Sequence, residues 1–167
     1  MIQAIFFDFN GVIIDDEPLQ MQAFRDVFAP YGIELTEAQY YSALGMDDRT
    51  FVKTTFERAG KELTPEMMMA MGRAKAEGHR KLVEELPLFP GVVTFLKAAS
   101  RHYPLGIVSM ASWEELEYVL RRARIESLFS IIVSAADVAI CKPAPDCYVR
   151  ALEKLNDQRR EKRLLPL

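Results

Sequence analysis

Asp8 stands where a carboxylate is costly. It ends the apolar run Ala4-Ile5-Phe6-Phe7, which reads as a buried strand from its β-branched and aromatic content, and a charge there is expensive unless something uses it. Two further polar groups hold like positions: Ser109 follows the strand Leu105 to Val108, and Lys142 lies in the loop after Ile131-Ile132-Val133-Ser134. In a parallel sheet these ends share one edge, where open α/β sheets take their ligands. A carboxylate nucleophile, a hydroxyl near a helix N-terminus and an ammonium are the parts that attack and hold a phosphoryl group, chemistry that is mostly positioning and charge neutralisation. Taken singly, Asp8 could cap a loop, Ser109 could end a strand and Lys142 could be a surface lysine beside prolines. Their joint order favours chemistry. Gly11 permits the tight turn that brings backbone close to a ligand.

The elements that must position these groups are marked by start and stop signals. Pro18 opens a helix whose apolar stripe is Leu19, Ala23, Phe24, Val27 and Phe28, and Pro30-Tyr31-Gly32 ends it. Thr36 to Gln39 has capping-box form, Asp47 caps a helix that Gly60 ends, and Thr64-Pro65 starts a long helix reaching about Leu86 before Pro87. Met67, Met68 and Met71 on that helix read as gap-filling core. From Phe89-Pro90-Gly91 helix and strand alternate: a helical face from Val92 to Ala99, the second strand, a capping box at Ser112-Trp113-Glu114-Glu115, and the third strand. A last helix presents Tyr148, Val149, Leu152 and Leu155 as its apolar side. The fold class predicted is α/β: a Rossmann-like parallel sheet flanked by helices, formed by residues 1–14 and 89–167, with an all-α block, 15–88, inserted after the first strand.

The 167 residues, half of them hydrophobic, carry a net charge of -3, which suits a soluble globular protein and gives no basic face for nucleic acid or an anionic membrane. No apolar run is long enough to span a bilayer, and the first strand follows Met1 too closely for a signal peptide, so a cytoplasmic protein is expected. Cys141 and Cys147 have no zinc-knuckle or C-x-x-C spacing and read as reduced thiols. There is no G-x-x-x-x-G-K-[ST] and no G-x-G-x-x-G.

Phe7-Asp8-Phe9-Asn10-Gly11-Val12, Val108-Ser109-Met110-Ala111-Ser112 and Cys141-Lys142-Pro143-Ala144-Pro145-Asp146 together resemble the first three motifs of the haloacid dehalogenase superfamily. The likeness is to its branch of phosphatases and β-phosphoglucomutase-like enzymes with a helical cap, and it covers essentially the whole chain. It implies an Mg²⁺-dependent phosphatase or phosphotransferase of a small phosphorylated metabolite. Asp8 would become an aspartyl phosphate, Ser109 and the neighbouring backbone N–H of Met110 would hold phosphoryl oxygens, and Lys142 would neutralise charge. Mg²⁺ would bind the Asp8 carboxylate and the Asn10 carbonyl. In the inserted block, Leu44-Gly45-Met46-Asp47-Asp48-Arg49 resembles the substrate-reading loop, which makes Arg49, and with it Lys75, candidate substrate contacts; solvated helix charge is the other reading of both. Glu17-Pro18 falls at the cap hinge, and such hinges let a lid close and exclude water.

Two departures bear on activity. Position 10, usually a second aspartate serving as general acid and base, is Asn10, and an amide cannot exchange a proton in that role, so onward transfer is slow unless Asp15, Asp16 or a substrate group stands in. The fourth motif, an acidic strand completing the Mg²⁺ site, is expected after Asn156-Asp157 and is not found there. That predicts an unpaired edge on the Asp8 strand, self-association through it, and a shortened chain. A non-catalytic phosphate-binding or interaction module is the competing function; carbon–halogen hydrolysis, also through Asp8, fits the Lys142-Pro143 segment less well.

Overall fold

The computed structural model describes residues 2–167. The chain forms two compact units, one of residues up to Asp15 together with Leu86–Leu167, the other of Asp16–Glu85.

In the first unit three strands, β1 (Ile5–Phe7), β2 (Leu105–Val108) and β3 (Phe129–Val133), form a parallel sheet in the order β1-β2-β3. All three carboxyl ends therefore fall on one edge. Ile5 pairs with Leu105 and Phe7 with Ile107, while a bulge beside Leu105 shifts Gly106 onto Ile131. Every residue of β2 is buried, as a central strand covered on both faces must be. A Cβ on Gly106 would lie 2.6 Å from Ile131 Cδ1 and 2.7 Å from Phe6 Cδ1. Gly106→Ala should accordingly lower stability by about 1 to 3 kcal/mol through overpacking, read as a fall in the denaturation midpoint; an unchanged midpoint would show that Phe6 and Ile131 move aside freely.

The helices of this unit are α5 (Val92–Ala99), α6 (Trp113–Arg122) and α7 (Asp146–Glu161). The capping box at Ser112 forms as the sequence indicates, with Ser112 Oγ accepting from the Glu115 N–H and the Glu115 side chain accepting from the Ser112 N–H. The face of α7 differs from expectation. Cys147, Ala151 and Leu155 are buried against Val108, Ile131 and Val133, whereas Tyr148, Val149 and Leu152 are 45%, 52% and 41% exposed. Two small residues at i and i+4 let the helix lie close on the sheet, and bulkier side chains there would hold it off. The same helix protects the β3 edge, since Gln158 Nε2 donates to Ser130 O at 2.9 Å and Lys154 Nζ to Ile132 O at 3.1 Å. Edge carbonyls satisfied in this way do not recruit another strand.

Lys154 also pairs with Asp137, whose carboxylate accepts from the Ser134 N–H at 2.8 Å. Burial works to raise the Asp137 pKa, but Lys154 and Ser134 outweigh it and hold the carboxyl below its usual range. A lowered folded pKa stabilises the protein above the unfolded value, about 3.9, and that contribution fades as the pH falls toward the folded one. Asp137→Asn should flatten the stability profile only in that acid window, and a loss of equal size at pH 7 and pH 3 would contradict the assignment.

The second unit is all helical: α1 (Glu17–Phe28), α2 (Glu37–Tyr41), α3 (Asp48–Arg58) and α4 (Pro65–Leu82). Thr36, Asp47 and Thr64 cap α2, α3 and α4 through their side chains. Phe24, Phe28, Phe51, Phe56 and Met71 build the core, with the Phe24 and Phe51 rings edge to face at 4.7 Å. Helix α4 stops at Leu82, short of the expected Leu86, where Val83 leaves helical geometry. Its buried residues are Met71, Lys75 and His79; Met67 and Met68 pack partly against the core and Met69 is 56% exposed.

Candidate functional site

Asp8 is the first residue past β1, and its Oδ1 accepts the Phe9 N–H at 2.8 Å. That bond fixes the carboxylate beside the loop, and the other oxygen, Oδ2, lies 2.8 Å from Lys142 Nζ. The Lys142 ammonium also donates to Val108 O, the last carbonyl of β2, at 2.9 Å. A residue from the loop after β3 is thereby tied to the ends of β1 and β2. The Lys142 side chain is 13% exposed and that of Asp8 44%, so the carboxylate is open while its counter-ion is sheltered. Part of the shelter is the Tyr148 ring, whose centroid is 5.6 Å from Nζ.

Ser109 begins the loop after β2. Its N–H donates to Val133 O at 2.9 Å, and its Oγ accepts the Ala111 N–H at 3.1 Å. The hydroxyl hydrogen is left to donate elsewhere. Ser109 and Met110 are both buried. Asn10 is half-buried in a tight curl where Phe9 O accepts the N–H groups of Val12, Ile13 and Ile14, and the Gly11 N–H donates to Ile14 O at 2.8 Å. Gly11 has φ 70°, a left-handed conformation that glycine takes without strain.

The two sites proposed in the helical unit differ in kind. Arg49 is exposed in the first turn of α3. Lys75 is buried, 2.9 Å from Asp48 Oδ2 and 5.0 Å from the Phe24 ring centroid, so its charge is met within the unit's own core. Asp16, one of the acids named as a stand-in for an aspartate at position 10, is fully buried. It accepts from Gln20 Nε2 at 3.1 Å and lies 2.8 Å from His79 Nε2. Beside it, Tyr40 donates its hydroxyl to Glu17 Oε2 at 2.7 Å, and burial together with that carboxylate pushes the phenol well above the usual tyrosine range. Isolated in the sequence, His79 gave no sign of a histidine metal site and none of this pair, although a charged and a polar residue one and two turns after Met71, on one helix face, were the available signal.

Among the described residues no group of three His, Cys, Asp or Glu side chains gathers as a metal centre. The two candidate donors at the β1 end, the Asp8 carboxylate and the Asn10 carbonyl, are both oxygens. Mg²⁺ characteristically takes one or two carboxylates and completes its shell with water and substrate phosphate. This donor set fits Mg²⁺ and does not fit a thiolate or imidazole metal.

The profile of the haloacid dehalogenase-like hydrolases matches residues 5–163. The phosphorylated carbohydrates phosphatase of Thermotoga maritima is 30% identical over 156 residues, spanning 93% of this chain and 71% of its own length. Among solved structures, an aspartate-to-asparagine variant of CbbY from Rhodobacter sphaeroides in complex with xylulose 1,5-bisphosphate superposes with a TM-score of 0.81 at 29% identity, covering 93% of this chain and 73% of that one. A β-phosphoglucomutase from Clostridium difficile gives a TM-score of 0.83 at 25% identity, covering 93% and 72%. The chain belongs to the haloacid dehalogenase-like hydrolase family, in its phosphatase branch. Among the described residues no helix is long and apolar enough to cross a membrane.

Proposed function

We propose that this chain is an Mg²⁺-dependent phosphatase or phosphotransferase of small phosphorylated carbohydrates, working through an ester on Asp8 and slowed by Asn10. The observation that carries the reading is the open Asp8 carboxylate 2.8 Å from a sheltered ammonium. An Asp8 oxygen attacks phosphorus, the bond from phosphorus to the sugar oxygen breaks, and the phosphoryl group rests on Asp8. Lys142 offsets the negative charge, the Ser109 hydroxyl donates to a phosphoryl oxygen, and the Met110 N–H lies beside it. Mg²⁺, held by Asp8 and the Asn10 carbonyl, supplies further positive charge when bound. Water then attacks phosphorus and releases inorganic phosphate, restoring the Asp8 carboxylate.

Each half of the reaction moves a proton: the sugar oxygen takes one, and the attacking water gives one up. The Asn10 amide serves neither. Asp16 does not replace it, because its carboxylate is committed to His79 and Gln20. Both halves therefore draw on solvent or on groups of the substrate. The carbohydrate class is supported by the Thermotoga phosphatase and by the sugar bisphosphate held by CbbY. In this reading residues 15–88 are the cap that selects substrate, with exposed Arg49 as its contact. The protein works in the cytoplasm and self-associates through β1, the edge strand opposite the one α7 protects; a sedimentation coefficient that stays monomeric at all concentrations would remove that element.

A reactive acyl phosphate with Mg²⁺ tests the chemistry. Intact-mass measurement should show one added phosphoryl group, absent in Asp8→Asn and absent with chelator. Labelling that survives Asp8→Asn would overturn the assignment. Asn10 also favours a second reading, a phosphate-binding module without turnover, for which phosphate binds and no covalent adduct forms.

A further inference from the structure

We infer that Tyr148 is the positioning residue for Lys142, holding the ammonium in place through the face of its ring; the inference rests on the role of Lys142 proposed above. The ammonium has three N–H bonds. One reaches Asp8 Oδ2 and one reaches Val108 O, and the Tyr148 ring lies 5.6 Å from Nζ, within the reach at which a cation is drawn to an aromatic face. No demand of packing puts an aromatic here. The buried side of α7 is Cys147, Ala151 and Leu155, and Tyr148 is 45% exposed. What the ring covers is a lysine side chain left only 13% exposed next to a carboxylate that is 44% exposed.

The backbone gives the contact rigidity. The Tyr148 N–H donates to Pro145 O at 2.9 Å and the Ala144 N–H to Cys141 O at 3.1 Å, so the loop carrying Lys142 and the first turn of α7 are one hydrogen-bonded piece. During transfer the Asp8 oxygens lose negative charge as one of them bonds to phosphorus. That weakens the carboxylate's hold on the ammonium at the step that needs it. Val108 O and the Tyr148 ring do not change, and they keep Nζ aimed at the phosphoryl group.

The test is the affinity for inorganic phosphate, by calorimetry with Mg²⁺ present, for the whole chain and for Tyr148→Phe, Tyr148→Leu, Lys142→Met and the Lys142→Met/Tyr148→Leu double variant. The ring is the active part, so Tyr148→Phe should stay within about twofold of the native affinity, and Tyr148→Leu should weaken it about threefold to tenfold. In the Lys142→Met background Tyr148→Leu should cost nothing more, the signature of two residues acting through one contact. Native affinity in Tyr148→Leu, or an equal loss in both backgrounds, overturns the proposal. A Lys142→Met variant that binds phosphate normally instead defeats the role given to Lys142. The order parameter of the Lys142 ε-carbon then reads the positioning alone: the proposal stands if Tyr148→Leu lowers it while Tyr148→Phe leaves it unchanged, and falls if Tyr148→Leu leaves it unchanged.

Discussion

Asn10→Asp is expected to raise turnover of a phosphorylated sugar by about 10²- to 10⁴-fold, the range a positioned general acid and base supplies. The substitution exchanges an amide for a carboxyl of nearly the same shape. Its backbone sits in a curl pinned by three N–H groups on Phe9 O and by the Gly11 N–H on Ile14 O, so the new group takes the old place. The gain should fall mainly in kcat, because a proton donor and acceptor acts in the transition state and little in binding. Single-turnover measurements separate the halves: both formation and decay of the Asp8 adduct should quicken. Asp8→Asn in the same background should abolish turnover, native rate included. If Asn10→Asp changes neither half by more than about twofold, against the gain general catalysis supplies, position 10 takes no part in proton transfer and the slowing assigned to Asn10 fails.

The strand-end groups were legible because a parallel sheet leaves them little freedom. Asp8, Ser109 and Lys142 follow three apolar runs in order, and the structure joins two of them directly, with Lys142 also reaching the carbonyl just before Ser109. Caps were legible for a similar reason, since Thr36 with Gln39 and Ser112 with Glu115 form their bonds within four residues. What sequence periodicity could not show was which partner a helix face meets. On α7 the large apolar residues suggested one face, yet close packing on the sheet selected the smaller Cys147 and Ala151. Tyr148, read from sequence as part of that apolar side, instead lies against the Lys142 ammonium. On α4 the contacts that decide are non-local. Lys75 meets Asp48, and His79 meets Asp16 across 63 residues of chain, which a window of helical spacing does not span.

His79→Ala should cost about 2 to 5 kcal/mol, from the cost of stranding a buried polar group up to that of breaking a buried ion pair. Asp16 and His79 are 0% and 1% exposed, so water cannot take the place of the missing imidazole without opening the core. Gln20 already donates from Nε2 to Asp16, and its Oε1 is a buried acceptor with no hydrogen-bond partner, one unmet polar atom that the core already carries. Asp16 is also the N-cap residue of α1, yet its side chain makes no capping bond. The helix thus forgoes a stabilisation of about 1 kcal/mol that an aspartate there ordinarily provides, because the carboxylate is turned to α4 instead. The pair ties the first turn of α1 to the last turn of α4, the two ends of the inserted helical unit. Urea denaturation reads the loss as a lower midpoint, and the His79→Ala/Asp16→Leu double variant should recover most of it by removing the stranded carboxylate as well. A single variant that loses less than about 1 kcal/mol, below the usual cost of stranding a buried polar group, would mean that the ends of the unit are held together by its aromatic core alone.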